Sequence, residues 1–243
     1  MKNICNVFSL EMCGTIATIR MCRAAAANAI PTSAWRELRA TIEAAIANGA
    51  RALILRSGNP RFFSAGADIG DLALLTDDVA KRVRFRSEMR EALNELGSLP
   101  AVALVEGGCY GAGVAIAMAC DVRYAKPCAE FAITPARLGI SYPQEDVTRL
   151  VDLIGKGQAA RLLLSGEVID AVEAARIGLV EAISEDAAAC AESWANSVSG
   201  NSSTSVSELR RALDGQSTAD AFDAAFGGPD FRKGLIAFRT RRR

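Results

Sequence analysis

Short apolar runs alternate along the chain with longer segments in which apolar residues recur at helical spacing. Two runs, residues 52–56 and 101–105, are almost entirely apolar, which is typical of strands buried on both faces of a parallel sheet. Residues 121–125 predict a further strand that also contains Asp121 and Arg123. Residues 3–9 and 14–21 predict two further strands around a turn at residues 11–14, and residues 33–48 predict a helix. This order predicts an α/β fold that begins with a ββα unit.

Helical spacing dominates the second half of the chain. Helices are predicted at residues 144–154, 158–164 and 170–177, followed by a short strand at residues 179–183. Residues 186–231 are rich in alanine and serine and predict further helices, with a break at residues 200–203. A charged helix that ends near Leu96 carries several arginines, which we expect to form a solvated face.

A glycine-rich turn at residues 106–111 lies between a buried strand and a short apolar helix at residues 112–119. Glycine lets a backbone approach a ligand closely, and the first N–H groups of a helix have no intrahelical acceptor. A second turn of small residues, 61–69, also follows a predicted strand. Together the two turns can present two convergent N–H groups, as an enolate or a tetrahedral oxyanion requires. The alternative to a ligand-binding site is an ordinary buried strand–turn–helix segment in which the glycines only allow close packing.

Composition excludes several kinds of chemistry. The chain has 243 residues with 28 basic and 28 acidic side chains, so nucleic acid is not an expected partner. It contains no histidine, which excludes Ser-His-Asp and Cys-His catalysis. Seven cysteines without a CxxC pair predict neither a disulfide framework nor a metal site. With no long apolar run and no signal peptide, we expect a soluble cytoplasmic protein that does not bind membranes.

Two motifs together resemble the crotonase superfamily of enoyl-CoA hydratases and isomerases. They are FSAGADI at residues 63–69 and PAVALVEGGCYGAGVAIAMACD at residues 100–121. The resemblance implies a spiral of ββα units at residues 1–190, which holds the CoA and oxyanion site, and a helical trimerisation region at residues 191–243. It also implies an acyl-CoA thioester as substrate, no separate cofactor, no metal, and a homotrimer or a dimer of trimers.

The same resemblance implies which residues form the site. By position, the oxyanion donors are the backbone N–H groups of Ala67 and Ala112, which would hold the thioester carbonyl oxygen. The residues implied to bind CoA are Arg23, Ala25, Ala65, Gly66, Asp68, Ile69 and Gly111. Among them, Arg23 is the expected phosphate contact, and its alternative is an arginine that simply faces solvent.

The chain departs from the family at the positions that transfer protons. The two glutamates of family hydratases match Ala115 and Ala136, and the aspartate of many isomerases matches Pro143. Since a methyl group cannot carry a proton, a standard hydratase is not expected. Tyr142 and Glu145 are the polar candidates that replace these groups. Tyr142 could instead be an aromatic residue that only fills the core, and Glu145 could instead be a surface residue at the start of a helix.

Three hypotheses about function follow. The first is an acyl-CoA-processing enzyme that works through its oxyanion hole. The second is a decarboxylase of a malonyl-type CoA thioester, because TPARLGISY resembles methylmalonyl-CoA decarboxylases, in which a tyrosine matches Tyr142. Those enzymes also use a histidine where this chain has Ala67, so that resemblance is partial. The third is a CoA-thioester-binding protein without catalysis.

Overall fold

The computed structural model describes residues 7–241 as a mixed α/β fold, which confirms the predicted class. The strands are β1 (Phe8–Cys13), β2 (Ile16–Met21), β3 (Ala52–Ser57), β4 (Phe62–Ser64), β5 (Ala101–Val105), β6 (Gly108–Tyr110), β7 (Val122–Ala125), β8 (Glu130–Ala132), β9 (Val168–Asp170) and β10 (Ala182–Ile183). The helices are α1 (Ala34–Ala47), α2 (Ile69–Ala73), α3 (Val79–Leu96), α4 (Ala112–Met118), α5 (Gln144–Ser165), α6 (Ala171–Arg176), α7 (Ala187–Gly200), α8 (Ser203–Leu213), α9 (Ala219–Ala225) and α10 (Pro229–Arg241).

The larger sheet has six strands in the order β1-β2-β3-β5-β7-β10. Only β1 and β2 pair antiparallel, and every other neighbour is parallel. Strands β3 and β5 lie in the middle of this sheet and are buried along almost their whole length. Their continuous apolar runs therefore mark central strands, as the hydrophobic pattern predicts.

The first hairpin differs from its prediction. Strand β1 is Phe8–Cys13, and the turn lies at Gly14, whose φ is +59°. Residues 11–13 of the predicted turn instead form the end of β1, whose side chains alternate between the two faces. A residue without a β-carbon favours that backbone angle, so the reversal falls at Gly14. Residues 3–6 of the predicted first strand lie outside the described residues.

A second sheet of four strands, β4-β6-β8-β9, was not predicted. Strand β6 lies within the glycine-rich segment, where sequence indicates only a turn, and it pairs parallel with β4 at Phe62 and Gly108. A β-carbon at Gly107 would lie 2.3 Å from the carbonyl oxygen of Arg61. Glycine is therefore required there to bring the two segments together, and this pairing brings the two predicted turns side by side.

The C-terminal half follows its prediction closely. Helices predicted at residues 144–154 and 158–164 appear as α5, which is interrupted at Gly155 (φ +75°, ψ +156°). The Asp170 side chain accepts a hydrogen bond from the Glu173 N–H at the start of α6. The strand predicted at residues 179–183 is shorter, because only Ala182 and Ile183 pair with β7.

Two compact units make up the chain, one up to Asn196 and one from Ser197 onward. The first contains both sheets and the main hydrophobic core. The second is helical, and its rings of Phe222, Phe226 and Phe231 contact one another edge to face. Within residues 7–241 no helix combines the length and hydrophobicity needed to cross a bilayer.

Arg123 on β7 is a buried cation that joins several segments of the first unit. Its guanidinium donates to the carbonyl oxygens of Leu179 at 2.9 Å and Cys120 at 2.8 Å, and it forms an ion pair with Glu181. The side chain is 2% exposed. A buried charge is tolerated only when it is paired in this way.

We expect Arg123→Ala to lower the free energy of unfolding by about 3 kcal/mol, because it removes the buried hydrogen bonds to two carbonyl groups and the ion pair with Glu181. Urea denaturation followed by circular dichroism measures this change. The control is Arg82→Ala, which removes an exposed arginine and should change stability by less than about 0.5 kcal/mol. Equal effects of the two substitutions would contradict a stabilising role for the buried ion pair.

Candidate active site

The two glycine-containing turns meet in the structure. Gly66 is buried with φ +95°, and a β-carbon placed on it would lie 3.0 Å from the Tyr110 carbonyl oxygen and 3.6 Å from the Ala112 nitrogen. On the other side, a β-carbon on Gly111 would lie 4.0 Å from Cα of Gly66. The backbones are therefore in van der Waals contact, as the sequence predicts.

Each turn presents one backbone N–H group without an acceptor. The Ile30 N–H donates to the Gly66 carbonyl and the Asp68 N–H donates to the Ile30 carbonyl, so this parallel bridge uses the groups on either side of Ala67 but not its N–H. Ala112 is the first residue of α4, where the N–H has no intrahelical partner. Across residues 7–241 neither N–H group donates to another atom of the protein. Both are free to bind an oxygen atom of a ligand.

A buried polar network holds the first turn in place, and sequence reasoning missed it. The Ser64 hydroxyl accepts from the Gly66 N–H at 3.1 Å and donates to the Asn28 carbonyl at 2.8 Å. The Asn28 amide in turn donates to the Ser57 hydroxyl at 2.6 Å and to the Phe63 carbonyl at 3.1 Å. Asn28 has φ +54°, a conformation that asparagine tolerates better than most residues. That preference is the signal by which the residue could be found.

The start of α4 packs directly on this network. A β-carbon on Gly113 would lie 2.8 Å from Cβ of Ser64. Real side chains do not approach so closely, so only glycine allows α4 to start at this position. The location of the Ala112 N–H thus depends on the side chain that supports Gly66.

Tyr142 lies beside the second turn, but its hydroxyl is engaged. The hydroxyl donates to the Gly111 carbonyl oxygen at 3.0 Å, and the Ala115 N–H donates to the same oxygen at 3.2 Å. Burial of the ring, reinforced by the nearby Asp146 carboxyl, holds the pKa of Tyr142 well above its usual value. The phenol is therefore neutral at physiological pH. It acts as a hydrogen-bond donor that fixes the turn next to Ala112.

The structure buries Asp146 and leaves Glu145, the polar candidate of the sequence analysis, exposed. Glu145 is exposed in the first turn of α5, whereas the next residue, Asp146, is 1% exposed. Oδ1 of Asp146 accepts from Arg149 at 2.8 Å, but its Oδ2 is buried with no hydrogen-bond partner among the described residues. Burial raises the pKa of this carboxyl group, although Arg149 opposes the shift. Sequence alone does not reveal which of two adjacent acids a helix buries.

Comparison with known proteins places the chain in a family. The family model for enoyl-CoA hydratase/isomerase matches residues 11–243. The chain belongs to the enoyl-CoA hydratase/isomerase family. It is 30% identical to the YngF protein of Bacillus subtilis, of the enoyl-CoA hydratase/isomerase type, over 94% of this chain and 93% of that protein. It is 29% identical to the short-chain-enoyl-CoA hydratase of Clostridium acetobutylicum, over 96% of this chain and 95% of that one.

Structural similarity confirms the crotonase fold. A crystal structure of an enoyl-CoA hydratase/isomerase family protein from Hyphomonas neptunium superposes with a TM-score of 0.91 at 28% identity. The match covers 97% of this chain and 95% of that one. The protein therefore has the same fold as that family member.

The residues expected to bind CoA lie on the two turns and on the loop after β2, and hydrogen bonds join that loop to the first turn. Ala65 donates its N–H to the Ala27 carbonyl at 2.9 Å, while Ala25 and Ile69 are exposed nearby in the chain. Arg23 pairs with Asp68 at 3.0 Å and also donates to the Ala29 carbonyl at 2.6 Å. Part of its guanidinium is thus already engaged.

Asp68 has a structural role in this arrangement. Its Oδ1 accepts from the N–H groups of Gly70 and Asp71 at the start of α2, and its Oδ2 pairs with Arg23. The hydrogen bond from Arg23 lowers the pKa of Asp68. The carboxylate therefore ties the start of α2 to the loop that contains Arg23.

Ala115 and Ala136, the positions expected to match the family glutamates, differ in their surroundings. Ala115 is completely buried on α4, next to the Tyr142 hydroxyl, and Ala136 is exposed in a 3-10 turn at Pro135–Leu138. The small side chain of Ala115 and the phenol of Tyr142 therefore lie together beside the second turn. The Tyr142 hydroxyl there is neutral and already donates to the Gly111 carbonyl.

We expect Tyr142→Phe to lower the free energy of unfolding by about 1 kcal/mol, because it removes a buried hydrogen bond and leaves the Gly111 carbonyl with the Ala115 N–H as its donor. Urea denaturation measures this loss. Tyr110→Phe is the matched control, since the Tyr110 hydroxyl bonds to Glu130 at an exposed site and contributes less. A Tyr142→Phe protein as stable as the original would show that this hydrogen bond does not fix the turn.

Proposed function

We propose that this protein binds an acyl-CoA thioester and stabilises negative charge on the thioester carbonyl oxygen. The observation that supports this function best is the contact between the two turns, each of which offers a backbone N–H without an acceptor, at Ala67 and Ala112. Both groups would donate to the carbonyl oxygen as it gains charge in an enolate. Loss of one such donor typically lowers a rate by about a hundred- to a thousandfold.

The side chains around the turns favour a reaction other than standard hydration. Ala115 and Ala136 match the family glutamates and hold no proton, and the Tyr142 hydroxyl donates to a backbone carbonyl. Glu145 is the exposed carboxylate that we propose as a base, if an α-proton is removed. The enzyme thus stabilises an enolate while its proton transfers depend on a group outside the usual positions.

Decarboxylation is the second candidate, and the two alanines favour it. In a malonyl-type thioester, the electrons of the breaking C–C bond pass into the thioester carbonyl, CO2 leaves, and an enolate forms without a base. Water or a nearby O–H group then protonates the enolate carbon. This reaction needs the two N–H donors but no glutamate at residue 115 or 136.

Mass spectrometry of the purified protein incubated with 2-enoyl, 3-enoyl and malonyl-type CoA thioesters tests these proposals. Addition of water or movement of a double bond would support the first candidate, and Glu145→Gln should then abolish it. Loss of CO2 alone would support decarboxylation. Binding without any turnover would identify a thioester-binding protein, and absence of binding would refute the proposed function.

We expect Gly113→Ala to weaken CoA-thioester binding by about tenfold or more, because the new methyl group would displace the start of α4 and the Ala112 N–H from the Gly66 turn. Isothermal titration calorimetry measures the affinity. Gly157→Ala is the matched control, since a β-carbon at Gly157 meets no atom within 4 Å. Unchanged affinity in Gly113→Ala, with the fold intact by circular dichroism, would contradict the assigned donor.

We also propose that the protein assembles as a homotrimer or a dimer of trimers. Residues from Ser197 onward expose several large apolar side chains, which suit a protein–protein interface better than solvent. They include Leu209, Leu213, Phe222, Phe226, Ile236 and Phe238. Light scattering on the purified protein should give a mass three or six times that of one chain. A monomeric mass at all concentrations would refute this assembly.

A further inference from the structure

The loop that follows β2 runs beside the first turn, and the two segments pair with each other. Ile30 and Ala67 form a parallel bridge. The Ile30 N–H donates to the Gly66 carbonyl at 2.8 Å, and the Ile30 carbonyl accepts from the Asp68 N–H at 2.9 Å. Because successive peptide groups of an extended segment point to opposite sides, the Ala67 N–H points away from Ile30. Its direction therefore depends on the two neighbouring peptide groups that Ile30 holds.

The Arg23 side chain connects both segments of this bridge. Its Nη1 donates to the Ala29 carbonyl at 2.6 Å and to Oδ2 of Asp68 at 3.0 Å. Ala29 directly precedes Ile30, and Asp68 directly follows Ala67. One nitrogen atom thus joins the neighbours of both bridge residues. The Arg23 and Asp68 side chains are 28% and 26% exposed, and a partly buried pair is screened less than a surface pair.

The two oxygens of the Asp68 carboxylate have separate partners. Oδ1 accepts from the Gly70 N–H at 3.1 Å and from the Asp71 N–H at 3.4 Å, whereas Oδ2 pairs with Arg23. Charge-assisted hydrogen bonds of this kind are about twice as strong as neutral ones. The pair therefore restrains the backbone next to Ala67, whose own N–H donates to no atom within residues 7–241.

We propose that Arg23 is a positioning residue for the oxyanion donor at Ala67. Its guanidinium ties the Ala29 carbonyl to the Asp68 carboxylate, and this tie keeps the Ala67 N–H directed at the ligand oxygen. The inference rests on the proposed function. It gives Arg23 a role that needs no phosphate, since Nη1 already donates to two acceptors of the protein. Contact with the phosphates of CoA is the alternative role.

Thioesters with and without phosphate groups separate the two roles. Butyryl-CoA carries the phosphates, butyryl-pantetheine presents the same thioester without them, and neither can be hydrated or decarboxylated. We expect Arg23→Gln to weaken the binding of both by about tenfold in calorimetry, because the loss lies at the thioester carbonyl. A phosphate contact would weaken the binding of butyryl-CoA alone. Arg39→Gln is the matched control, since it breaks ion pairs with Glu43 and Glu91 away from the turns and should leave both affinities unchanged.

Infrared spectra of the bound thioesters, labelled with carbon-13 at the carbonyl, measure the donor itself. A carbonyl that accepts hydrogen bonds absorbs at lower frequency, so the wild-type protein should shift this band and Arg23→Gln should shift it less. Asp68→Asn is the second variant, because asparagine starts a helix as well as aspartate does but has no charge to pair with Arg23. It should give the same losses, and Arg23→Gln/Asp68→Asn should bind no more weakly than either single variant.

The outcomes separate this inference from the proposed function. If the wild-type protein shifts the band and Arg23→Gln retains both the shift and the affinities, or if Arg23→Gln weakens the binding of butyryl-CoA alone, the inference is overturned and the proposed function stands. If the wild-type protein shifts the band of neither thioester, the proposed function fails. Hydrogen–deuterium exchange without ligand then tests the positioning: faster exchange at residues 64–68 in Arg23→Gln would support it, and unchanged exchange would refute it. Circular dichroism confirms the fold of each variant.

Discussion

The close contact between the turns at Gly66 and Gly111 is the constraint on which the rest of the site depends. Two backbones approach this closely only where no β-carbon intervenes, and Gly66 also has a φ that other residues rarely adopt. The parallel pairing of β4 with β6 brings the segments together, and Gly107 removes the clash that would prevent it. Fold and site therefore share one requirement, which is the absence of side chains at a few positions.

Contact alone would not hold two N–H groups in fixed directions, and the surrounding polar atoms supply that rigidity. Ser64 and Asn28 hold the first turn in place through buried hydrogen bonds. Tyr142 supports the second turn through the Gly111 carbonyl. Donors that are fixed before a ligand binds need no reorganisation as charge develops, which is the main advantage of such a site.

The central strands and the contact between the two turns could be predicted because they depend on local sequence. The glycines around Gly66 and Gly111, and the apolar runs of β3 and β5, show their structural role within a few residues. The partner of Tyr142 lies 31 residues away in sequence, and the partner of Arg23 lies 45 residues away. No local pattern specifies such pairs.

The sequence also could not predict which of two adjacent acidic residues is buried. Glu145 and Asp146 are both acidic residues in the first turn of a helix, and the helix dipole favours either of them. Only the packing of α5 decides that Asp146 is buried and Glu145 is exposed. Strand β6 was missed for a related reason, since its three residues become a strand only by pairing with β4 and β8.

The groups near the two turns are mainly hydrogen-bond donors and not proton acceptors. Burial raises the pKa of Tyr142 and of Asp146, and the Tyr142 phenol therefore keeps its proton at physiological pH. Neutral O–H groups donate hydrogen bonds, as do the N–H groups of Ala67 and Ala112, whereas a general base must first lose its proton. A site without histidine that is surrounded by donors stabilises negative charge better than it abstracts a proton. This balance is consistent with the proposed reactions in which an enolate forms without a strong base close to the N–H groups of Ala67 and Ala112.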